Sequence, residues 1–234
     1  MTIEYVNGAV NFNEAAGSTI AAPATNHTAG NLLVVFVSSK NGDGTDVTAI
    51  ADTAGNTYTR ITGIVSRYAG WSEIEMWYAK NITGNANNIV TVTFNASYTN
   101  RGIQVLQYSG CDPTAPLDQS AVGEDFTATP ATANITTTQA DEVLVAADSL
   151  YTVKTHTPGA NYTIRTQLSG AEPSWGDSED RIVASTGDYN ASYTLDSSTV
   201  WSMCLASFKA AAAEGFQAAW AKNSNQIIQG VYQS

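Results

Sequence analysis

The sequence predicts an all-β protein, a two-sheet antiparallel β-sandwich of jelly-roll type with a short C-terminal extension, and three observations carry this. At least twelve segments rich in Val, Ile, Thr, Tyr and Phe are separated by turns of Gly, Asn, Asp and Pro, residues that suit a pleated surface and a tight reversal respectively. Several segments alternate: Val90, Val92 and Phe94 share one side and Thr91 and Thr93 the other, the period of a half-buried strand. Two segments, Leu32 to Val37 and Thr199 to Lys209, are apolar on both faces and so belong inside a sheet covered on both sides. No helical pattern precedes residue 209.

In chain order, Ile3 to Val6 and Ala9 to Phe12 read as two short strands, followed by Ser18 to Ala21 and the Pro23-Ala24-Thr25-Asn26 turn. After the double-faced strand comes a loop, Asn41-Gly42-Asp43-Gly44-Thr45-Asp46, and then Val47 to Ala51. Asp52-Thr53-Ala54-Gly55-Asn56-Thr57-Tyr58 is a turn, and Tyr58 to Tyr68 is strand broken at Gly63. In Ser72 to Lys80, Ile74, Met76 and Tyr78 form the core side, with Glu73, Glu75 and Trp77 opposite. The Gly84 to Asn88 turn leads to Ile89 to Phe94, and Arg101 to Tyr108 continues the sheet. Pro113 and Pro116 turn the chain because each fixes φ and withholds a donor. Asn134 to Thr138 reads as an edge strand, Asp141 to Leu150 as a core strand through Val143, Val145 and Ala147, and His156 to Gly159 as a turn. Tyr162 to Gln167, a polar loop around Trp175, Arg181 to Ser185 and Ala191 to Leu195 precede the last long strand. Residues 1–209 thus form the sandwich and residues 210–234 a tail serving as anchor or oligomerisation segment. That tail carries Phe216, Trp220, Ile227, Ile228, Val231 and Tyr232, too few for a core of its own and too apolar to leave in water, so they require a docking surface.

Ten Lys plus Arg against 21 Asp plus Glu give a formal charge of −11. Such a surface repels phosphate backbones and anionic lipid, which disfavours nucleic acid and membrane as partners. Thr2-Ile3-Glu4-Tyr5-Val6 has neither the basic region nor the apolar core of a signal segment, and no run is long enough to span a bilayer. Cys111 and Cys204 read as two reduced, buried thiols.

Chemical motifs are sparse. Glu73-Ile74-Glu75 puts two carboxylates on one strand face, as a retaining glycosidase requires, and superficially resembles the strand motif of laminarinase-type hydrolases. That motif needs Asp in the middle and a further Glu beyond, where this chain has Met76, Trp77 and Tyr78, so a solvated strand face is the reading preferred. Asn41 to Asp46 resembles a fragment of a calcium loop but lacks the bidentate Glu that closes an EF-hand; no cofactor is expected, with calcium the one candidate. His27 and His156 have no Cys or His at metal-ligand spacing, which argues against zinc, and no G-x-S-x-G elbow occurs. Six N-x-S/T sequons, at Asn26, Asn81, Asn95, Asn134, Asn161 and Asn190, would mark surface turns if glycosylated. Trp71, Trp77 and Trp175 lie beside turns or on mixed faces, where indole rings can stack on sugars.

Taken together, Asp52-x-x-Gly55-Asn56-x-Tyr58, Trp77-Tyr78-Ala79-x-Asn81, Tyr108-Ser109-Gly110-x-Asp112, Pro116-Leu117-Asp118, Asp141-x-Val143-Leu144-Val145 and Ser207-Phe208-Lys209 resemble bacterial and bacteriophage β-sandwich surface modules, over about residues 20–210. Ala219-Trp220-Ala221-Lys222-Asn223-Ser224-Asn225-Gln226-Ile227-Ile228 is similar to a short segment of phage virion proteins. The resemblance implies a β-sandwich with no shared catalytic set. It implies a non-enzymatic bacteriophage virion structural protein, a capsid decoration, spike or fibre subunit, whose partners are other capsid or tail proteins. A homo-oligomer, a trimer for example, would cover the strands that are apolar on both faces. Two alternatives remain open: a carbohydrate-binding or adhesin module at the cell surface using Trp71, Trp77 or Trp175 against host glycans, and a glycoside hydrolase using Glu73 and Glu75.

Overall fold

The computed structural model describes residues 2–40, 47–68, 72–172 and 174–212, the side chains of 62–68 excepted. The candidate calcium loop at 41–46, Trp71, and all six apolar tail residues from Phe216 to Tyr232 lie outside the described residues. All regular structure described is β-strand. The first half of the chain holds β1 (Glu4–Asn13), β2 (Gly17–Ala21), β3 (Thr25–His27), β4 (Leu32–Lys40), β5 (Val47–Asp52), β6 (Thr59–Tyr68), β7 (Ser72–Ala79), β8 (Asn85–Asn88) and β9 (Val90–Ser109). The second half holds β10 (Leu117–Thr127), β11 (Ile135–Thr136), β12 (Glu142–Leu150), β13 (His156–Pro158), β14 (Thr163–Gln167), β15 (Asp177–Val183), β16 (Asp188–Tyr189), β17 (Tyr193–Leu195) and β18 (Thr199–Lys209).

Every pairing is antiparallel, and the two halves repeat one plan. The first half orders a sheet β1-β9-β4-β7-β6 and the second β10-β18-β12-β15-β14. In each, the opening strand of the half pairs with its closing strand, a fully buried strand follows, and a hairpin completes the sheet. The two five-stranded sheets pack face to face over a shared core: Leu32, Val34, Phe36, Ile74, Met76, Leu106 and Tyr108 from one half meet Val143, Val145, Ala147, Cys204, Ala206 and Phe208 from the other. Cys111 and Cys204 are both buried and unpaired with each other, and burial pushes the Cys111 thiol up to about 12.

Each sheet is also covered on its outer face, so the protein has four layers. In the first half, Ile20 of β2, Val47 and Ile50 of β5 and the start of β9 close over Leu33, Val35 and Val37. In the second half, Ile135, Tyr193 and Leu195 of the short strands close over Leu144, Ala146, Met203 and Leu205. This is why Leu32 to Val37 and Thr199 to Lys209 are apolar on both sides. Their faces divide as the alternation predicts, but the cover comes from the chain itself, and the argument that a trimer or other homo-oligomer must bury them falls.

Three further expectations change. The predicted strands Ile89 to Phe94, from Val90 onward, and Arg101 to Tyr108 belong to one strand, β9, whose first part pairs with β2 and β5 and whose second part pairs with β1 and β4. Asn100 adopts φ +50° within it, a conformation Asn tolerates well. The segment around Trp175 is not all loop: Asp177, Ser178, Glu179 and Asp180 begin β15 and are buried. Glu73 and Glu75 are not on a solvated face, being 3% and 1% exposed. Glu75 accepts the Val47 N–H (3.1 Å) and the Trp77 indole N–H (3.1 Å) and meets the Arg60 guanidinium at 3.2 Å.

The predicted Asp52 turn is held by its carboxylate. Asp52 accepts the backbone N–H groups of Ala54 (3.1 Å) and Asn56 (2.9 Å), and at 2.8 Å each the Asn56 amide, the Tyr58 hydroxyl and the Asn88 amide. Gly55 supplies the φ of +76° that this reversal needs. Burial opposes ionisation of Asp52, but the donors of Asn88, Asn56 and Tyr58 outweigh it and hold the carboxyl below the usual range. Asp52→Ala is expected to cost about 2–3 kcal/mol in urea unfolding, because it leaves several donors without their acceptor. A depressed folded-state value stabilises above the unfolded carboxylate range near pH ~4 and is lost as pH falls through the folded value. The stability gap between wild type and Asp52→Asn should therefore shrink on acidification and stay flat at neutral pH.

Candidate functional site

Two regions combine a defined position in the fold with functional potential. The first is the end of the sandwich where the described chain enters and leaves. Gly110 takes φ +76°, and a Cβ there would collide with the Thr2 carbonyl, so this junction between halves sits directly against the N-terminal segment. Ala211 donates to the Gly110 carbonyl (2.8 Å), Asp112 to that of Lys209 (2.9 Å) and Ala210 to that of Asp141 (2.9 Å). The Asp112 carboxylate accepts the Thr114 and Ala115 N–H groups, fixing the turn that contains Pro113. Three clefts of about 290, 260 and 350 Å³ ring this point, with Asp141 and Ala211 each lining two of them. Strands β4 and β12 both start at this end and run away from it, and at the other end the Lys40 ammonium donates to the Tyr151 carbonyl (2.7 Å).

Trp77 and Trp175, the two candidate tryptophans among the described residues, are not brought together. Trp77 is half-buried against the first half's outer core and its indole N–H is engaged by Glu75. Trp175 lies at the end opposite Thr2 and Ala211, where Phe12 stacks on its ring (centroids 5.7 Å apart, 23° between planes) and the Lys40 ammonium sits 3.7 Å from the centroid. Burial lowers the Lys40 pKa to about 8.

The second region was not visible in the sequence. His156 of β13 is buried, and its Nε2 lies 3.1 Å from Asp148 Oδ2. Its Nδ1 faces two more carboxylates, Glu172 at 3.2 Å and Asp177 at 3.6 Å. The Gln167 amide donates to both Glu172 (3.1 Å) and Asp177 (3.4 Å), and the Asp177 N–H donates to Asp148 (2.9 Å). The Tyr193 ring packs edge-on against the imidazole. Asp148, His156 and Asp177 have fully buried side chains, whereas that of Glu172 is 24% exposed. Burial pulls the imidazole pKa down, but Asp148, Asp177 and Glu172 outweigh it and raise His156 to about 10. Desolvation raises Asp177. For Glu172, burial is outweighed by a hydrogen bond from Asp177 and the His156 charge, and its carboxyl is lowered. These groups come from four separate segments, so no linear spacing announces them.

No family model matches the chain, and no curated protein matches it. Among solved structures, the search returns the major capsid protein of bacteriophage PM2 (8% identity, 92% of this chain and 99% of that one, TM-score 0.29). It also returns a turret protein of Sulfolobus turreted icosahedral virus (10% identity, 88% and 99%, TM-score 0.21). A third is the N-terminal domain of a Streptococcus gordonii adhesin (13% identity, 79% and 49%, TM-score 0.17). At these TM-scores the likenesses describe what the chain is compared with and carry no argument about its role.

Proposed function

We propose that this protein is a non-enzymatic structural component of a bacteriophage virion, a decoration, spike or fibre subunit held to the capsid or tail by one end of its double sandwich. The observation that carries this reading is the gathering of Thr2, the Gly110 junction and the Ala210–Ala211 exit at one end ringed by clefts. A chain whose connections leave from one end is suited to being tethered there and presenting the other. The residues beyond 212, with Phe216, Trp220, Ile227, Ile228, Val231 and Tyr232, supply the apolar area an attachment needs. A surface of net charge −11 keeps the displayed body soluble and off anionic polymers. The glycan-binding alternative draws no support from Trp77 and Trp175, whose rings are already packed and engaged, and so rests on Trp71.

The test is incorporation. Full-length chain should co-sediment with particles on a density gradient, and a chain ending at Ala212 should remain in the soluble fraction while keeping the same β-type circular dichroism. Equal incorporation of the folded truncated chain would refute attachment through the tail. Native mass of the full chain, measured in parallel, reports whether it self-associates.

A further inference from the structure

The geometry points to a divalent cation site: we infer that His156 Nδ1 and the Glu172 and Asp177 carboxylates together ligate one first-row divalent ion of the Zn2+ class. One atom from each residue lies within 4.8 Å of the others. The separations from Nδ1, 3.2 Å to Glu172 and 3.6 Å to Asp177, are close to the edge lengths of a coordination polyhedron. Ligands held at about 2.0–2.2 Å from zinc in a tetrahedron lie about 3.3–3.6 Å apart. Three further observations distinguish this group from an ordinary acidic cluster. Asp177 Oδ1 is fully buried and has no hydrogen-bond partner, although the other oxygen of the same carboxylate faces the imidazole. Asp148 grips the opposite imidazole nitrogen at 3.1 Å, the carboxylate–histidine arrangement that orients metal-bound imidazole and raises its basicity. Gln167 donates to both ligand carboxylates and so aims them together.

Charge supports the same occupant. Three carboxylates surround one imidazole packed against the Tyr193 ring, with no Lys or Arg among the described ion pairs of the group. The first half answers its own buried strand carboxylate, Glu75, with Arg60; the second half has an imidazole in the corresponding role, and a dication would balance the remaining charge. Nitrogen in the ligand set favours a transition-series ion over Ca2+ or Mg2+. Bound there, the ion would tie the segment carrying Glu172 and Trp175 to β13 and β15, which makes it a structural clip with Glu172 as the side open to solvent.

The chain has two histidines, so one spectrum decides the matter without any variant. After EDTA treatment and its removal, Zn2+ titrated into the full chain should shift the His156 imidazole signals in a histidine-selective 15N correlation spectrum and leave those of His27 in place. Saturation is expected at one ion per chain in the micromolar range. Glu172→Gln, at the solvent-exposed edge, should weaken binding at least tenfold by calorimetry while retaining the wild-type β spectrum. Unmoved His156 signals, a response confined to His27, or full affinity in folded Glu172→Gln would each overturn the assignment.

Discussion

Asp180→Ala is expected to cost about 3–5 kcal/mol of unfolding free energy, the largest effect of any single polar substitution proposed for this protein. Asp180 is 2% exposed and faces the shared core from the second half. It accepts the Tyr108 hydroxyl of the first half at 2.9 Å and the Arg165 guanidinium of the second, also at 2.9 Å. Arg165 in turn lies over the Tyr5 ring, 4.2 Å from its centroid, and Tyr5 packs edge-on against Tyr108. One carboxylate therefore joins residues of both halves. Truncating it leaves a buried hydroxyl without an acceptor and a cation without its counter-charge, and those two penalties dominate. Tyr108→Phe alone should cost about 1–2 kcal/mol. The double variant should show coupling of at least about 0.5 kcal/mol, because the two groups touch. Urea unfolding of the four species measures all of this; an Asp180→Ala loss below about 1 kcal/mol would mean that the clasp contributes nothing.

Cutting the chain at the junction between the halves should have the greater consequence. Residues 1–112 contain a complete sheet and its outer cover, yet their inner face presents Leu32, Val34, Phe36, Ile74, Met76 and Leu106, all at 1% exposure or less in the whole protein. Separation would turn these into one contiguous apolar surface, larger than soluble monomers ordinarily carry. The fragment should be insoluble or self-associated when made alone. Co-expression with residues 113–234 should recover a soluble one-to-one complex, since the shared core needs no covalent link to form. A monomeric, cooperatively unfolding 1–112 fragment on size exclusion and in urea would show the halves to be independent.

Much of the architecture was legible because it rests on local rules. Alternation assigned the faces of β4 and β18 correctly, and Asp52-x-x-Gly55-Asn56-x-Tyr58 reads as a turn because Asp accepts nearby N–H groups and Gly permits positive φ. The break expected at Gly63 corresponds to a register shift between Arg60 and Val65. Polar residues misled wherever partners came from far along the chain. Asp177 to Asp180 looked like loop because four polar residues in succession give no strand period, although Tyr108, Arg165, Thr166 and Gln167 meet them in the fold. Glu73 and Glu75 looked solvated for the same reason.

By itself, then, the sequence determined an all-β antiparallel protein, its turn chemistry and the strands that must be buried on both sides, since these follow from residue shape and period over a few positions. Only the tertiary structure decided that those strands are covered on one face by a second half built on the same plan and on the other by short strands of their own half, and that His156 meets Asp148, Glu172 and Asp177. Burying a charge depends on which counter-groups the pairing of distant strands delivers, and no local pattern encodes that.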